Sequence, residues 1–98
     1  MKINKKQDGS ALVIALEGRL DTTTAPELEK ALKDSLDGVT DLTLDMARLD
    51  YISSAGLRVL LTAHKAMQKQ GSMKVTNVSE LVKEVFDVTG FSDILNIE

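Results

Sequence analysis

Six consecutive residues, Ala11-Leu12-Val13-Ile14-Ala15-Leu16, carry no polar side chain. A run this short and this rich in branched residues reads as a strand, and its apolar character on both faces puts it inside a sheet. The Asp8-Gly9 pair before it marks a turn. Lys2–Lys6, ahead of that turn, reads as a weaker strand, so the two form an N-terminal hairpin with the apolar strand more central.

Beyond the hairpin, strand and helix signals alternate. Gly18-Arg19-Leu20-Asp21 ends the second strand. Thr24-Ala25-Pro26-Glu27 then starts a helix: Thr24 as cap, Pro26 where no amide donor is missed, Glu27 placed to reach back. Ala25, Leu28, Leu32 and Leu36 follow at helical spacing, and Gly38 stops the helix. Asp41–Met46 alternates as a strand, with Leu42 and Leu44 on one face. A short loop leads to a second helix opened by Ser53 or Ser54. Its inner stripe is Leu57, Leu60, Leu61, His64 and Met67, and Gln70-Gly71 ends it. Met73–Val78 is a further strand. Ser79 caps a third helix with Val82, Val85 and Phe86 inward, and Gly90 ends that one. Phe91–Ile97 is an apolar tail, read as helix then strand.

This order, β-β-α-β-α-β-α plus a tail, predicts an α/β fold. One domain spans residues 1–98, with a mixed, mostly parallel sheet of four to five strands packed with three to four helices. At 98 residues, 43% of them apolar, the chain can bury one core and no more. A formal charge of −3 argues against a nucleic-acid partner held through phosphates. The absence of cysteine removes disulfides and thiolate metal sites. No apolar run approaches the roughly 20 residues that cross a bilayer. The N-terminus shows no secretory pattern, so the expectation is a cytoplasmic protein without membrane insertion.

Parallel sheets place functional sites where strand C-termini meet helix N-termini. Two segments answer to that here, Leu20–Thr24 and Leu49–Gly56. The second reads Leu49-Asp50-Tyr51-Ile52-Ser53-Ser54-Ala55-Gly56-Leu57. A serine before a helix has a plain structural role, accepting from the free amides of the first turn. Two serines stand here where one cap suffices. Gly56 lies inside the first turn, where it costs about 1 kcal/mol relative to Ala, so something must approach the backbone closely there. Tyr51-Ile52 would anchor the segment and hold a hydroxyl outward. A phosphate on that hydroxyl would meet the amides and the dipole of the helix N-terminus.

Nucleophilic catalysis fits poorly. The one histidine, His64, lies ten residues beyond Ser54, about 15 Å along a helix rising 1.5 Å per residue. No Ser–His dyad can form at that separation. His64 reads instead as a helix residue at the core edge. Gly-x-Ser-x-Gly is absent, as is a Gly-rich phosphate loop with Lys-Ser/Thr.

Ser53-Ser54-Ala55-Gly56-Leu57, after Leu49-Asp50-Tyr51-Ile52, resembles the phosphorylation loop of the STAS family, the anti-sigma-factor antagonists of bacteria and their relatives. Gly18-Arg19-Leu20-Asp21 with Thr24-Ala25 is similar to the family's Gly-x-Leu-Asp segment. Asn77-Val78-Ser79, Val85-Phe86 and Thr89-Gly90-Phe91 resemble its C-terminal pattern. Together, in order, these segments cover nearly the whole chain.

The resemblance implies a STAS-like domain and a phosphoprotein of transcription regulation, not an enzyme. A partner anti-sigma-factor serine kinase brings ATP and magnesium and phosphorylates the loop serine, so the protein itself needs no cofactor. The unphosphorylated form binds that kinase, the phosphorylated form releases it, and a phosphatase resets this partner switching. The acceptor maps to Ser54, with Asp21 beside it. Thr22, Thr23, Ser53, Ala55, Gly56, Leu57 and Arg58 complete the loop and partner contact. Family members often carry Asp before the acceptor and Ser or Thr after it. Ser53 and Ala55 stand at those places, so Ser53 remains the alternative acceptor.

Phosphorylation would take the formal charge from −3 to about −5. Asp21 and Asp50 would repel the phosphate while the helix N-terminus welcomes it, so little change of fold is expected. Arg58, four residues after Ser54, pairs with the phosphate or joins Lys65 and Lys69 on a solvated face. Two other readings stay open: an unphosphorylated STAS adapter, for example of a lipid-transport ATPase, and a receiver-type phosphotransfer domain using Asp45 and Asp50. Alone, the protein is expected to be a monomer or a weak dimer.

Overall fold

The computed structural model describes residues 1–98. The strands are β1 (Lys2–Asp8), β2 (Ala11–Leu20), β3 (Asp41–Ile52) and β4 (Ser72–Thr76). The helices are α1 (Ala25–Ser35), α2 (Ser54–Gln68) and α3 (Glu80–Thr89), with a 3₁₀ turn at Phe91–Asp93. The sheet runs β1-β2-β3-β4 in space. β1 is antiparallel to β2, whereas β2–β3 and β3–β4 are parallel. The tail adds one rung of a fifth strand. Ile97 bridges Val75, with Val75 N–H donating to Asn96 O at 2.9 Å and Glu98 N–H to Val75 O at 2.8 Å. The expected mixed sheet and the helix-then-strand tail are both present. No helix is long and apolar enough to cross a membrane.

The core lies on one face of the sheet. Leu12, Ile14 and Leu16 of β2, Leu42, Leu44 and Met46 of β3, and Met73 and Val75 of β4 all join a single buried cluster. The helices add Ala25, Leu28 and Leu32 from α1, then Leu57, Val59, Leu60, Ala63 and Met67 from α2, then Val82 and Phe86 from α3. β2 is flanked by strands on both sides, as expected, yet only one of its faces is covered. Val13 is exposed and Ala15 half-buried. Their cross-strand neighbours are Lys6 and Thr43, and Asn4 and Asp45, which keep the other face polar. The α2 stripe is also rotated slightly from expectation. Val59 and Ala63 are buried, while Leu61 and His64 are half-buried at its margin.

β2 and β3 both run beyond their expected ends. The parallel register continues to Leu20 opposite Ile52, with irregularities between Ala15 and Glu17 and between Gly18 and Arg19. Gly18, at φ +100°, takes a backbone conformation that L side chains rarely adopt. In β3 the buried positions run Leu42, Leu44, Met46, Leu49, Ile52, so their spacing changes from two to three. A period-2 reading therefore stops at Met46 and takes the rest for a loop.

Gly71 closes the return from α2 into β4. A methyl added there would overlap the Thr40 carbonyl, whose oxygen accepts from Ser72 N–H at 3.0 Å and so starts the β3–β4 pairing. Gly38, by contrast, has φ +79° with open space around it. Gly71→Ala should cost about 2–3 kcal/mol through overpacking against a backbone that cannot yield. Gly38→Ala should cost about 1 kcal/mol through its positive φ. Urea unfolding of both variants checks the order; equal midpoints would contradict it.

Candidate functional site

The C-terminal ends of β2 and β3 meet at one hydrogen bond, Ser53 N–H to Leu20 O at 2.8 Å. This link joins the segment after β2 to the start of α2. Gly56 explains how close the two come. A Cβ on it would stand 2.6 Å from Leu20 Cγ and 3.0 Å from Ile52 Cγ1. What approaches the glycine backbone is thus the chain's own buried Leu20 and Ile52, and the helix starts flush against the sheet.

The two serines divide their roles. Ser53 has extended backbone, φ −99° and ψ 175°, and its Oγ accepts from Gly56 N–H at 3.4 Å. It is the cap. Ser54 is the first residue of α2; it is exposed, and its hydroxyl bonds to nothing in the chain. The amides of Ser54 and Ala55 likewise find no acceptor, as expected in a first helical turn. Gly56 and Leu57 are buried, so they shape the site from beneath and present no side chain at its surface.

The segment after β2 is a preorganised turn built on Asp21. Its Oδ1 accepts from Thr23 Oγ1–H at 2.8 Å, Thr23 N–H at 3.0 Å and Thr24 N–H at 3.2 Å. The Thr23 hydroxyl contributes most to holding the Asp21 carboxyl below the usual carboxylate range; desolvation opposes it, and the Thr23 and Thr24 amides with the Thr24 hydroxyl tip the balance downward. Thr24 does not cap α1 with its side chain, contrary to the sequence expectation. Its backbone is already helical, φ −100° and ψ −20°, and its hydroxyl turns upstream, donating to Arg19 O at 2.7 Å and accepting from Asp21 N–H at 2.8 Å. The Asp21 carboxylate takes the Thr24 amide instead.

Around these turns, Thr22, Ala55 and Arg58 line one groove of about 320 Å³ between the starts of α1 and α2, with Pro26, Glu29 and Val59. Arg58 is exposed. Asp21 makes no hydrogen bond to either serine; it is tied to them through Leu20. Asp50 is exposed one residue before Tyr51. Asp45 accepts from Ala47 N–H and Asn77 Nδ2–H, each at 3.0 Å. One contact escaped the sequence reading. Arg19 lies over the Tyr51 ring, 4.4 Å from its centroid, with Nε 3.7 Å from Asp21 Oδ2. Only the parallel register, Arg19 opposite Tyr51, brings them together.

A family model described as the STAS domain matches residues 2–98. The chain belongs to the STAS family. This STAS domain is 38% identical over 99 residues to BtrV of Bordetella bronchiseptica, whose name groups it with anti-sigma factor antagonists; the match covers 99% of this chain and 85% of BtrV. It is 32% identical over 98 residues to the anti-sigma-B factor antagonist of Bacillus subtilis, covering 99% of this chain and 90% of that protein. Its fold matches the anti-sigma factor antagonist SpoIIAA in unphosphorylated form, with TM-score 0.85 at 20% identity over 99% of this chain and 88% of that one. The phosphorylated form of SpoIIAA matches with TM-score 0.77 at 19% identity, over 99% of this chain and 91% of that one. The fold expected from the sequence is therefore the fold found.

Two predictions follow the division of labour in this STAS domain. Ser53→Ala should cost about 1 kcal/mol of stability by losing the cap, and Ser54→Ala almost nothing, in urea unfolding at neutral pH. Reversed magnitudes would contradict the cap assignment. Asp21 titrates below its unfolded value, near 3.9, so its contribution is present above that pH and is lost as pH falls through the lower folded value. The stability gap between wild type and Asp21→Ala should therefore narrow between pH 5 and pH 2, read from midpoints at about six pH values. A constant gap would remove the carboxylate's charge from the account.

Proposed function

We propose that this protein is an anti-sigma-factor antagonist that works by partner switching, with Ser54 as the phosphorylated residue. The observation that carries the reading is the unbonded, exposed Ser54 hydroxyl beside a neighbour that already does the capping. The Ser53 oxygen is turned onto its own helix and shares a lone pair with the Gly56 amide, which lowers its availability as a nucleophile. Ser54 makes no such bond, so the choice between the two serines falls on it.

The partner is an anti-sigma-factor serine kinase, which supplies ATP and magnesium; the STAS domain supplies only the acceptor hydroxyl. A phosphatase returns the hydroxyl. The kinship with the Bacillus subtilis and Bordetella proteins supports the assignment to this class. SpoIIAA, in the same fold, exists in phosphorylated form. In the unphosphorylated state a partner surface covers the two turns and the start of α2. Adding about two negative charges at Ser54 makes that surface costly to cover, because an unpaired dianion would lose its water. The core beneath, with Gly56, Leu57, Leu20 and Ile52, needs no rearrangement.

A binding assay with the cognate anti-sigma kinase tests this. Ser54→Ala should bind like the wild type, and Ser54→Asp should bind about tenfold more weakly, a difference of about 1.4 kcal/mol. Intact mass after incubation with kinase and ATP should show one added phosphate on the wild type and none on Ser54→Ala. Equal binding by all three proteins, with no mass change, would rule the switch out.

A further inference from the structure

The chain has three arginines. Arg19 faces Asp21 at 3.7 Å and Arg48 faces Glu17 at 3.7 Å. Arg58 alone forms no ion pair, although it is exposed on a chain with a net charge of −3. It stands four residues after Ser54 in α2, one helical turn along the same face, where side chains of this spacing meet. α2 contains no Asp or Glu to compete for it.

We infer that Arg58 is the built-in counter-ion of phosphorylated Ser54. This rests on the reading of Ser54 as the modified residue and adds how its phosphate is held. Once the phosphate is in place, the guanidinium forks onto two of its oxygens, while a third faces the open amides of Ser54 and Ala55. Unmodified, the start of α2 presents a free cation to an incoming partner. Modified, it presents a phosphate with that cation folded onto it. Phosphorylation thus acts twice at one place: it adds a dianion and withdraws Arg58 from the surface.

The other charged groups near this point do not substitute for Arg58. Asp21 and Asp50, on the β2–α1 turn and β3, and Glu29, across the groove from Arg58, are carboxylates and oppose the phosphate. Arg19 is held over Tyr51 and beside Asp21. Lys65 shares the exposed face of α2, but eleven residues from Ser54 put it about 16 Å along the helix, beyond the Debye length of about 8 Å at physiological salt.

The test does not depend on any kinase. Phosphoserine is placed at position 54 during translation, in otherwise wild-type protein and in Arg58→Ala, Arg58→Lys and Lys65→Ala. The second phosphate ionisation, ordinarily near pH 6, is followed by phosphorus NMR at 0.15 M salt. Arg58→Ala should raise that pKa by about half a unit or more, Arg58→Lys by less, and Lys65→Ala by no more than about a tenth. Wild type and Arg58→Ala titrating together would overturn the inference, as would an equal rise in Lys65→Ala. Neither result touches the function of Ser54, which the binding assay decides by itself.

Discussion

The pairing of β2 with β3 along their whole lengths governs this molecule. These strands form the two inner positions of the sheet, and Leu12, Ile14, Leu42 and Leu44 are buried before either strand reaches the first irregularity. Because the pairing is parallel, both strands end at the same edge. Because it persists through two irregularities to Leu20 and Ile52, they end level, and Ser53 N–H can reach Leu20 O. Everything described as the site hangs from that edge. The Asp21 turn leaves one strand there and α2 leaves the other. A shorter pairing would leave the two turns as separate loops, with nothing to hold a hydroxyl in a set direction.

The site is held together by ordinary interactions. Asp21 gathers three donors, Ser53 caps α2, and Gly56 lets the helix sit directly on Leu20 and Ile52. Each interaction is local and modest, but together they hold both turns and leave the Ser54 hydroxyl and the Ser54 and Ala55 amides unbonded. A modification can then change the charge of the surface without disturbing the core. This suits a protein whose work is to be bound or not bound. Kinship with anti-sigma factor antagonists agrees with a surface used for binding.

Much of this was legible in the chain itself. The apolar run at Ala11–Leu16, the caps at Ser79 and Gly90 and the inward residues Val82 and Phe86 depend on neighbours within a turn or two, and they stand where periodicity and capping rules put them. Leu49–Ile52 reads as a loop because β3 carries an extra residue at each register shift against β2, and the resulting three-residue spacing of Met46, Leu49 and Ile52 does not match a period-2 strand. Thr24 suits a side-chain cap by residue type, yet its hydroxyl donates to Arg19 O and accepts from Asp21 N–H instead. Gly56 implies a close approach to its backbone, and the structure shows that the core itself, Leu20 and Ile52, makes it.

By itself, then, the amino-acid order determined the succession of strands and helices, the one-domain size, the family, and the pair of serines at which chemistry could occur. Those features follow from local propensity, spacing and motif, which act between residues close in the chain. Tertiary structure decided where α2 begins, through Ser53 N–H to Leu20 O, and so which serine caps it; it also decided that Arg19 lies on Tyr51 and that Arg58 is left without a carboxylate. Each of these depends on the distance between groups on different elements, and that distance is set only when the sheet closes and the helices settle on its one covered face.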